Sequence, residues 1–313
     1  MTGMSSRRSW VRDTIADVKQ AKRGWRWGHR AQVPRSAEPF VPAPSKNVYP
    51  NDWSRTPAAI AAREVAQKVG LEPVFRSQVR TRVEGVDVLS RLTGPVIFAA
   101  NHASHLDTPL LLLSLPDEWR RRTAVAAAAD YFFDTWWRAV GSSLLFNTLP
   151  IDRRGGTMSA TPGEVLADGW SLVIFPEGTR SKDGWVGQFR MGAAYLAVEH
   201  GIPVVPVAHR GTFAAMPRGA AWPARGRRQL TVRFGDPLTP REGESVREFA
   251  PRIREAVARL LDEEQSDWYS SLRRSASGET PDPSGPDVAQ WRRVWASTES
   301  PDVEPGKLRA WRS

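Results

Sequence analysis

His102 and Asp107 lie five residues apart in Asn101-His102-Ala103-Ser104-His105-Leu106-Asp107, directly after the apolar run Pro95–Ala100. An imidazole takes a proton from a hydroxyl near neutral pH, which makes histidine the commonest general base. A carboxylate on its other ring nitrogen would fix the tautomer and stabilise the imidazolium that forms. On a regular helix a spacing of five leaves the two side chains about 140° apart. They meet only if the chain turns between strand and helix, as Asp107-Thr108-Pro109 would allow. Two plainer readings stand beside this one: Asp107 as a helix N-cap, and His102 as a loop histidine packed on a sheet.

Three further clusters follow apolar runs in the same way. Phe175-Pro176-Glu177-Gly178-Thr179-Arg180-Ser181 offers a tight loop, a glycine that lets a ligand approach the backbone, and an arginine fork suited to phosphate. A strand-end turn with an Arg–Glu surface pair would have the same composition. Pro150-Ile151-Asp152-Arg153-Arg154-Gly155 places two arginines after a strand. Ile202–Val207 is a strand punctuated by Pro203 and Pro206, which reads as an edge or a pocket wall. His102, His105 and Asp107 also spell H-x-x-H-x-D, but no further His or Cys cluster completes a metal site. Ser104 and His105 are weaker candidates for the chemistry, and His29, His200 and His209 read as ordinary surface or strand-end residues.

In this order the four clusters resemble the glycerolipid acyltransferase family, which includes the lysophosphatidate acyltransferases. The family's NHxxxxD, arginine-bearing, FPEGTRS and proline-bearing motifs correspond to Asn101–Asp107, Phe146–Arg153, Phe175–Ser181 and Ile202–Val207, and FPEGTRS is matched in full. The resemblance covers roughly residues 75–265. It implies that His102 is the general base on the acceptor hydroxyl, oriented by Asp107. It also implies that Arg153, Glu177, Gly178, Thr179 and Arg180 form the glycerol-phosphate site, and that Pro206 shapes a wall near the acyl chain. The implied donor is an acyl-thioester, acyl-CoA or acyl-carrier protein, with neither metal nor cofactor. The implied product is phosphatidate, made from 1-acylglycerol 3-phosphate. Glycerol 3-phosphate, another lysophospholipid or a glycolipid is the alternative acceptor, and a non-catalytic lipid-binding protein is the alternative class.

The elements that must position these residues alternate apolar runs with amphipathic stretches, the pattern of an α/β layer fold with one mixed sheet flanked by helices. Strands are predicted at Val74–Val83, Pro95–Ala100, Val125–Ala128, Leu144–Ile151, Leu172–Phe175, Val204–Val207 and Leu230–Phe234. Helices are predicted at Ala58–Val69, Pro109–Leu115, Tyr131–Val140, Gly192–His200 and Val246–Glu264. The catalytic domain then spans 58–265. Residues 1–57 hold a basic helix and a Pro-rich linker. Residues 266–313 form a tail in which the Ser/Gly/Pro-rich Ser270–Pro286 is expected to be disordered and Val288–Ala296 helical.

The 313 residues contain no cysteine, which excludes disulfides, thiolate ligands and a cysteine nucleophile. The net charge of +10 calls for an acidic partner, although 38 of the 44 basic residues are arginine, a bias that a GC-rich genome also produces. Of that surplus, 7 charges fall in residues 1–60 (11 basic, 4 acidic), interleaved with tryptophans. Trp10, Thr14, Val18, Ala21 and Trp25 make a stripe edged by Lys19, Lys22, Arg23 and Arg26, suited to an anionic membrane surface or to docking on the core. No nucleic-acid motif accompanies the charge. No run approaches the ~20 apolar residues of a spanning helix. The expectation is a peripheral protein on the cytoplasmic face of the cell membrane.

Overall fold

The structure, a computed structural model, describes residues 52–128, 136–151 and 161–298, all within one unit spanning Ser45–Ser313. The basic N-terminal helix, and Arg153 with its neighbour Arg154, lie outside the described residues. Seven strands form one sheet: β1 Arg80–Glu84, β2 Ile97–Ala100, β3 Thr123–Ala128, β4 Thr148–Ile151, β5 Ser171–Ile174, β6 Val204–Arg210 and β7 Gln229–Phe234. Their order is β1-β7-β6-β2-β5-β3-β4. From β6 across to β4 all neighbours run parallel, while β7 is antiparallel to β6 and β1 is parallel to β7. The sheet is mixed, as expected.

Side-chain alternation along β2 explains why both faces are covered. Phe98 and Ala100 pack with Leu110, Leu111 and Leu112 of helix α3 (Asp107–Ser114) on one side. Ile97 and Ala99 pack on the other, with Ala193, Ala194 and Ala197 of α7 (Gly192–His200) and Phe249 and Ile253 of α9 (Val246–Gln265). Strands buried on both faces read as continuous apolar runs, which is what Val96–Ala100 and Leu172–Ile174 are. The remaining described helices are α1 Pro57–Val65, α2 Glu72–Gln78, α4 Asp117–Arg121, α5 Trp136–Phe146, α6 Pro162–Ala167, α8 Thr212–Ala215, α10 Trp268–Ser277 and α11 Gln290–Thr298.

Several boundaries differ from those read in the sequence. The first helix does not stop at Gly70: a π-helical turn over Ala66–Leu71 carries it into α2, so half of the strand predicted at Val74–Val83 is helix. Glu72 and Pro73, in the first turn of α2, favour that continuation. The strand predicted from Leu144 begins at Thr148, because α5 runs to Phe146 and Asn147 turns the chain at φ 49°.

The Ser270–Pro286 stretch is not a disordered tail. Asp267 caps α10 by accepting the Ser270 N–H at 2.9 Å, and Gly278 ends it at φ 72°. Ser and Gly here are boundary residues of a helix, which Arg274 fastens to α9 through two 2.8 Å bonds to the Asp262 carboxylate. The next turn is held by the Val186 N–H on the Pro283 carbonyl, and the helix expected around Val288–Ala296 is α11.

β6 is an interior strand, not an edge. Pro206 sits between the last antiparallel pair, Val207↔Phe234, and an isolated bridge, Val204↔Leu238. One extra residue on the β7 side makes a bulge there, so the missing proline N–H costs no ladder bond.

Candidate active site

Parallel strands end on the same side of a sheet, so β6, β2 and β5 deliver the residues that follow them to one place. Asn101 and His102 leave β2, Phe175–Arg180 leave β5, and His209 closes β6. The segment after β2 is not helical until Asp107, which is the turn that His102 and Asp107 require. Asp107 Oδ2 lies 2.9 Å from His102 Nδ1 and accepts the backbone N–H groups of Ala103 and Ser104 at 2.7 Å each. The carboxylate therefore points back to the loop rather than forward to cap α3. Burial pushes the Asp107 carboxyl up, but the His102 bond, then the facing His209 and His102 rings, hold it below the usual carboxylate range. With Nδ1 directed at Asp107, Nε2 is left as the acceptor that can take a proton.

The loop after β5 holds His102 from the other side. Glu177 Oε1 accepts the His102 N–H at 2.7 Å, Ser181 donates its N–H to the His102 carbonyl at 2.8 Å, and the Phe175 ring stacks on the imidazole with centroids 4.0 Å apart. Glu177 Oε2 accepts the Gly187 N–H at 2.8 Å. Burial pushes the Glu177 carboxyl up to about 7 despite those two amide bonds. Glu177 is thus a clamp on the His102 backbone: both its oxygens are taken by backbone amides, it is 7% exposed, and it does not line the cavity.

His102 borders a cavity of about 520 Å³. Gly178, Thr179 and Arg180 line it as the motif implies, and Arg190 and Arg218 join them. Gly178 has φ +70°, and a side chain there would meet the Arg190 guanidinium at 2.9 Å, so the bare glycine is what lets Arg190 lie across the loop. Val125, Ala127, Phe146 and Ile174 give it an apolar stretch, and Thr108 and Thr148 add hydroxyls. His105 is also at the wall. Burial first, then the charge of Arg180 and the neighbouring His102, push its imidazole down to about 4. An imidazole of such low basicity is a poor proton acceptor, whereas His102 has the Asp107 carboxylate on its other ring nitrogen.

Pro206 does not line this cavity. Its ring lies beside Gly235 and Leu260 of α9. Sequence reasoning also missed three residues. Arg190 and Arg218 come from loops whose course only the fold defines. His209 is wholly buried behind Asp107, 4.0 Å from Oδ1, and its position at the end of a parallel strand was the signal that pointed to it.

Residues 80–210 match the family model described as Acyltransferase. A chloroplastic 1-acyl-sn-glycerol-3-phosphate acyltransferase of Brassica napus is 30% identical over 145 residues, covering 45% of this chain and 40% of that protein. A 1-acyl-sn-glycerol-3-phosphate acyltransferase of Pseudomonas aeruginosa is 37% identical over 99 residues, 30% of this chain and 35% of that one. The matched stretches thus span about two-fifths or less of these relatives. The crystal structure of the 1-acyl-sn-glycerophosphate acyltransferase PlsC from Thermotoga maritima superposes with a TM-score of 0.51 at 25% identity, covering 69% of this chain and 83% of that one.

Proposed function

From the match of residues 80–210 to the Acyltransferase model, we propose that the protein moves an acyl group from a thioester to the free hydroxyl of 1-acylglycerol 3-phosphate. The observation that carries this reading is the His102–Asp107 pair, 2.9 Å apart, opening on a cavity that combines Arg180, Arg190 and Arg218 with an apolar floor. Cations and apolar surface in one cavity suit a phosphate headgroup joined to acyl chains.

His102 Nε2 takes the hydroxyl proton as the oxygen attacks the thioester carbonyl. The new C–O bond gives a tetrahedral oxyanion, which collapses by breaking the C–S bond, and the imidazolium returns its proton to the leaving thiolate. Asp107 stabilises the transient imidazolium, and a positioned base of this kind contributes about 10²–10⁴-fold. Acyl-CoA and acyl-carrier protein both offer the required thioester. No metal or cofactor takes part in this scheme.

A peripheral site of action on the cytoplasmic face of the membrane fits a lipid acceptor, and no described helix is long and apolar enough to cross a membrane. Flotation of the full chain with anionic liposomes, compared with a version lacking residues 1–33, tests the basic helix as the anchor; equal binding of the two would rule it out.

The deciding experiment is turnover of acyl-CoA with lysophosphatidate, glycerol 3-phosphate and other lysophospholipids, in wild type and His102→Ala. Turnover with lysophosphatidate, lost in a folded His102→Ala protein, is expected. Full turnover by the variant would remove His102 as the base, and preference for another acceptor would reassign the substrate.

A further inference from the structure

The proposed mechanism makes no use of His209, yet its imidazole is wholly buried beside the His102–Asp107 pair. It follows Val205 and Val207 on the same face of β6, both fully buried core residues, so a β-branched aliphatic would be the ordinary occupant. A buried imidazole in that place breaks the local pattern, and such departures concentrate where a function needs them. Burial pushes its pKa below the ordinary imidazole value, against the opposing pull of the Asp107 carboxylate.

Its contacts all converge on the residue before the base. The His209 N–H donates to Asn101 Oδ1 at 2.7 Å, Asn101 Nδ2 donates to the His209 carbonyl at 3.1 Å, and ring Nδ1 lies 3.2 Å from the Asn101 carbonyl oxygen. That carbonyl belongs to the peptide unit whose N–H is held by Glu177. One peptide plane, the one that sets the direction of the His102 side chain, is therefore gripped at its oxygen by His209 and at its nitrogen by Glu177. The same Nδ1 lies 4.0 Å from Asp107 Oδ1, the carboxylate oxygen that His102 does not use. Behind the ring, His209 Nε2 is unpartnered, and His209 and Thr212 border a separate cavity of about 90 Å³. The ring does not line the larger cavity beside His102, so it is placed to act on the base without touching substrate.

We infer that His209 is a positioning residue for the reaction: through Nδ1–H it fixes the Asn101–His102 peptide and backs Asp107, which together aim Nε2 of His102 into the cavity. The inference rests on the reading of His102 as the base. A misplacement of about 1 Å at a reacting atom can cost about 10²-fold in rate.

Three substitutions separate this role from simple packing. The amide of His209→Asn can put its nitrogen where Nδ1 stands, whereas His209→Gln carries it out to the Nε2 position and His209→Leu removes it. The expected result is a kcat about 10- to 100-fold lower for Leu and Gln, and within about fivefold of wild type for Asn. KM for acyl-CoA and lysophosphatidate should stay within about threefold in all three, measured on proteins shown to be folded by thermal melting. Should the Leu variant fail to fold, Asn against Gln makes the same comparison.

A second readout does not depend on turnover. The proton on His102 Nδ1 should give a low-field NMR resonance that His102→Ala abolishes and that moves in the Gln variant but not in the Asn variant. Equal kcat for Asn and Gln with an unmoved resonance would overturn the role. If His102→Ala kept its activity, the base assignment would fall, while the resonance would still report whether His209 holds the pair.

Discussion

Glu177 Oε1 accepts the backbone N–H of His102 at 2.7 Å, so a carboxylate from the loop after β5 sets the backbone of the base that follows β2. Its other oxygen holds the Gly187 N–H, so one carboxylate ties the two segments together. The glutamate of the FPEGTRS segment therefore works on the protein rather than on the substrate.

A pH signature follows from its burial. Ionising Glu177 is disfavoured in the folded state, where its pKa is about 7 against a usual 4.5. A raised folded pKa means that this group's contribution to stability is full below pH 4.5 and is lost as pH rises through 7. The slope has an upper limit of about 1.4 kcal/mol per pH unit. Glu177→Gln, which cannot ionise, should show a melting temperature that falls less between pH 5 and 7.5 than that of wild type. Its kcat should also fall, about tenfold or more, because an amide nitrogen replaces one of the two acceptors. Identical pH dependence of the two melting curves would contradict the assignment.

The three cavity arginines should act on the phosphate. Arg180→Ala is expected to raise KM for lysophosphatidate by about tenfold or more, the usual cost of losing a charged hydrogen bond. Arg190→Ala and Arg218→Ala, whose side chains are more exposed, should each cost less and lose their effect in high salt. Initial rates across acceptor concentrations at two ionic strengths measure this. An unchanged KM in all three variants would place the headgroup elsewhere.

Ala127 lines the apolar part of the cavity and is nearly buried. Ala127→Phe should fill space there and shift the preferred acyl donor to shorter chains while leaving short-chain turnover within a few-fold of wild type. Competition among acyl-CoAs of different length reads the shift directly. A uniform loss for all lengths would mean that the acyl chain does not run past β3.

Helix α11 secures the loop that follows the FPEGTRS segment. Arg293 Nε donates to Asp183 Oδ2 at 2.6 Å, its other nitrogens reach the carbonyls of Pro286 and Ser284, and its own carbonyl accepts the Trp185 indole N–H at 2.9 Å. Arg293→Ala would leave Asp183 and these carbonyls without their partner, at a cost of about 2 kcal/mol. Chemical denaturation should show that loss, and a change below about 0.5 kcal/mol would show that the strap is not held by this residue.

The strands that carry the chemistry were legible because they are buried on both faces. Pro95–Ala100 and Leu172–Phe175 are unbroken apolar runs, and the polar residues directly after them had to lie at strand ends. Boundaries near the surface were less legible. Local composition does not distinguish a π-helical turn from a stop at Gly70, nor the serines of a short capped helix from a disordered stretch after Asp267.

By itself, the sequence determined which residue types stand after which strands, and it left the pairing of His102 with Asp107 conditional on a turn between them. Only the tertiary structure decided what surrounds that pair. The strand order places β6 and β5 on either side of β2, and that adjacency brings in His209 from one side and Glu177 from the other. It also sets Pro206 beside Gly235 and Leu260 of α9. Neighbours in a sheet are set by long-range packing, which no spacing along the chain encodes.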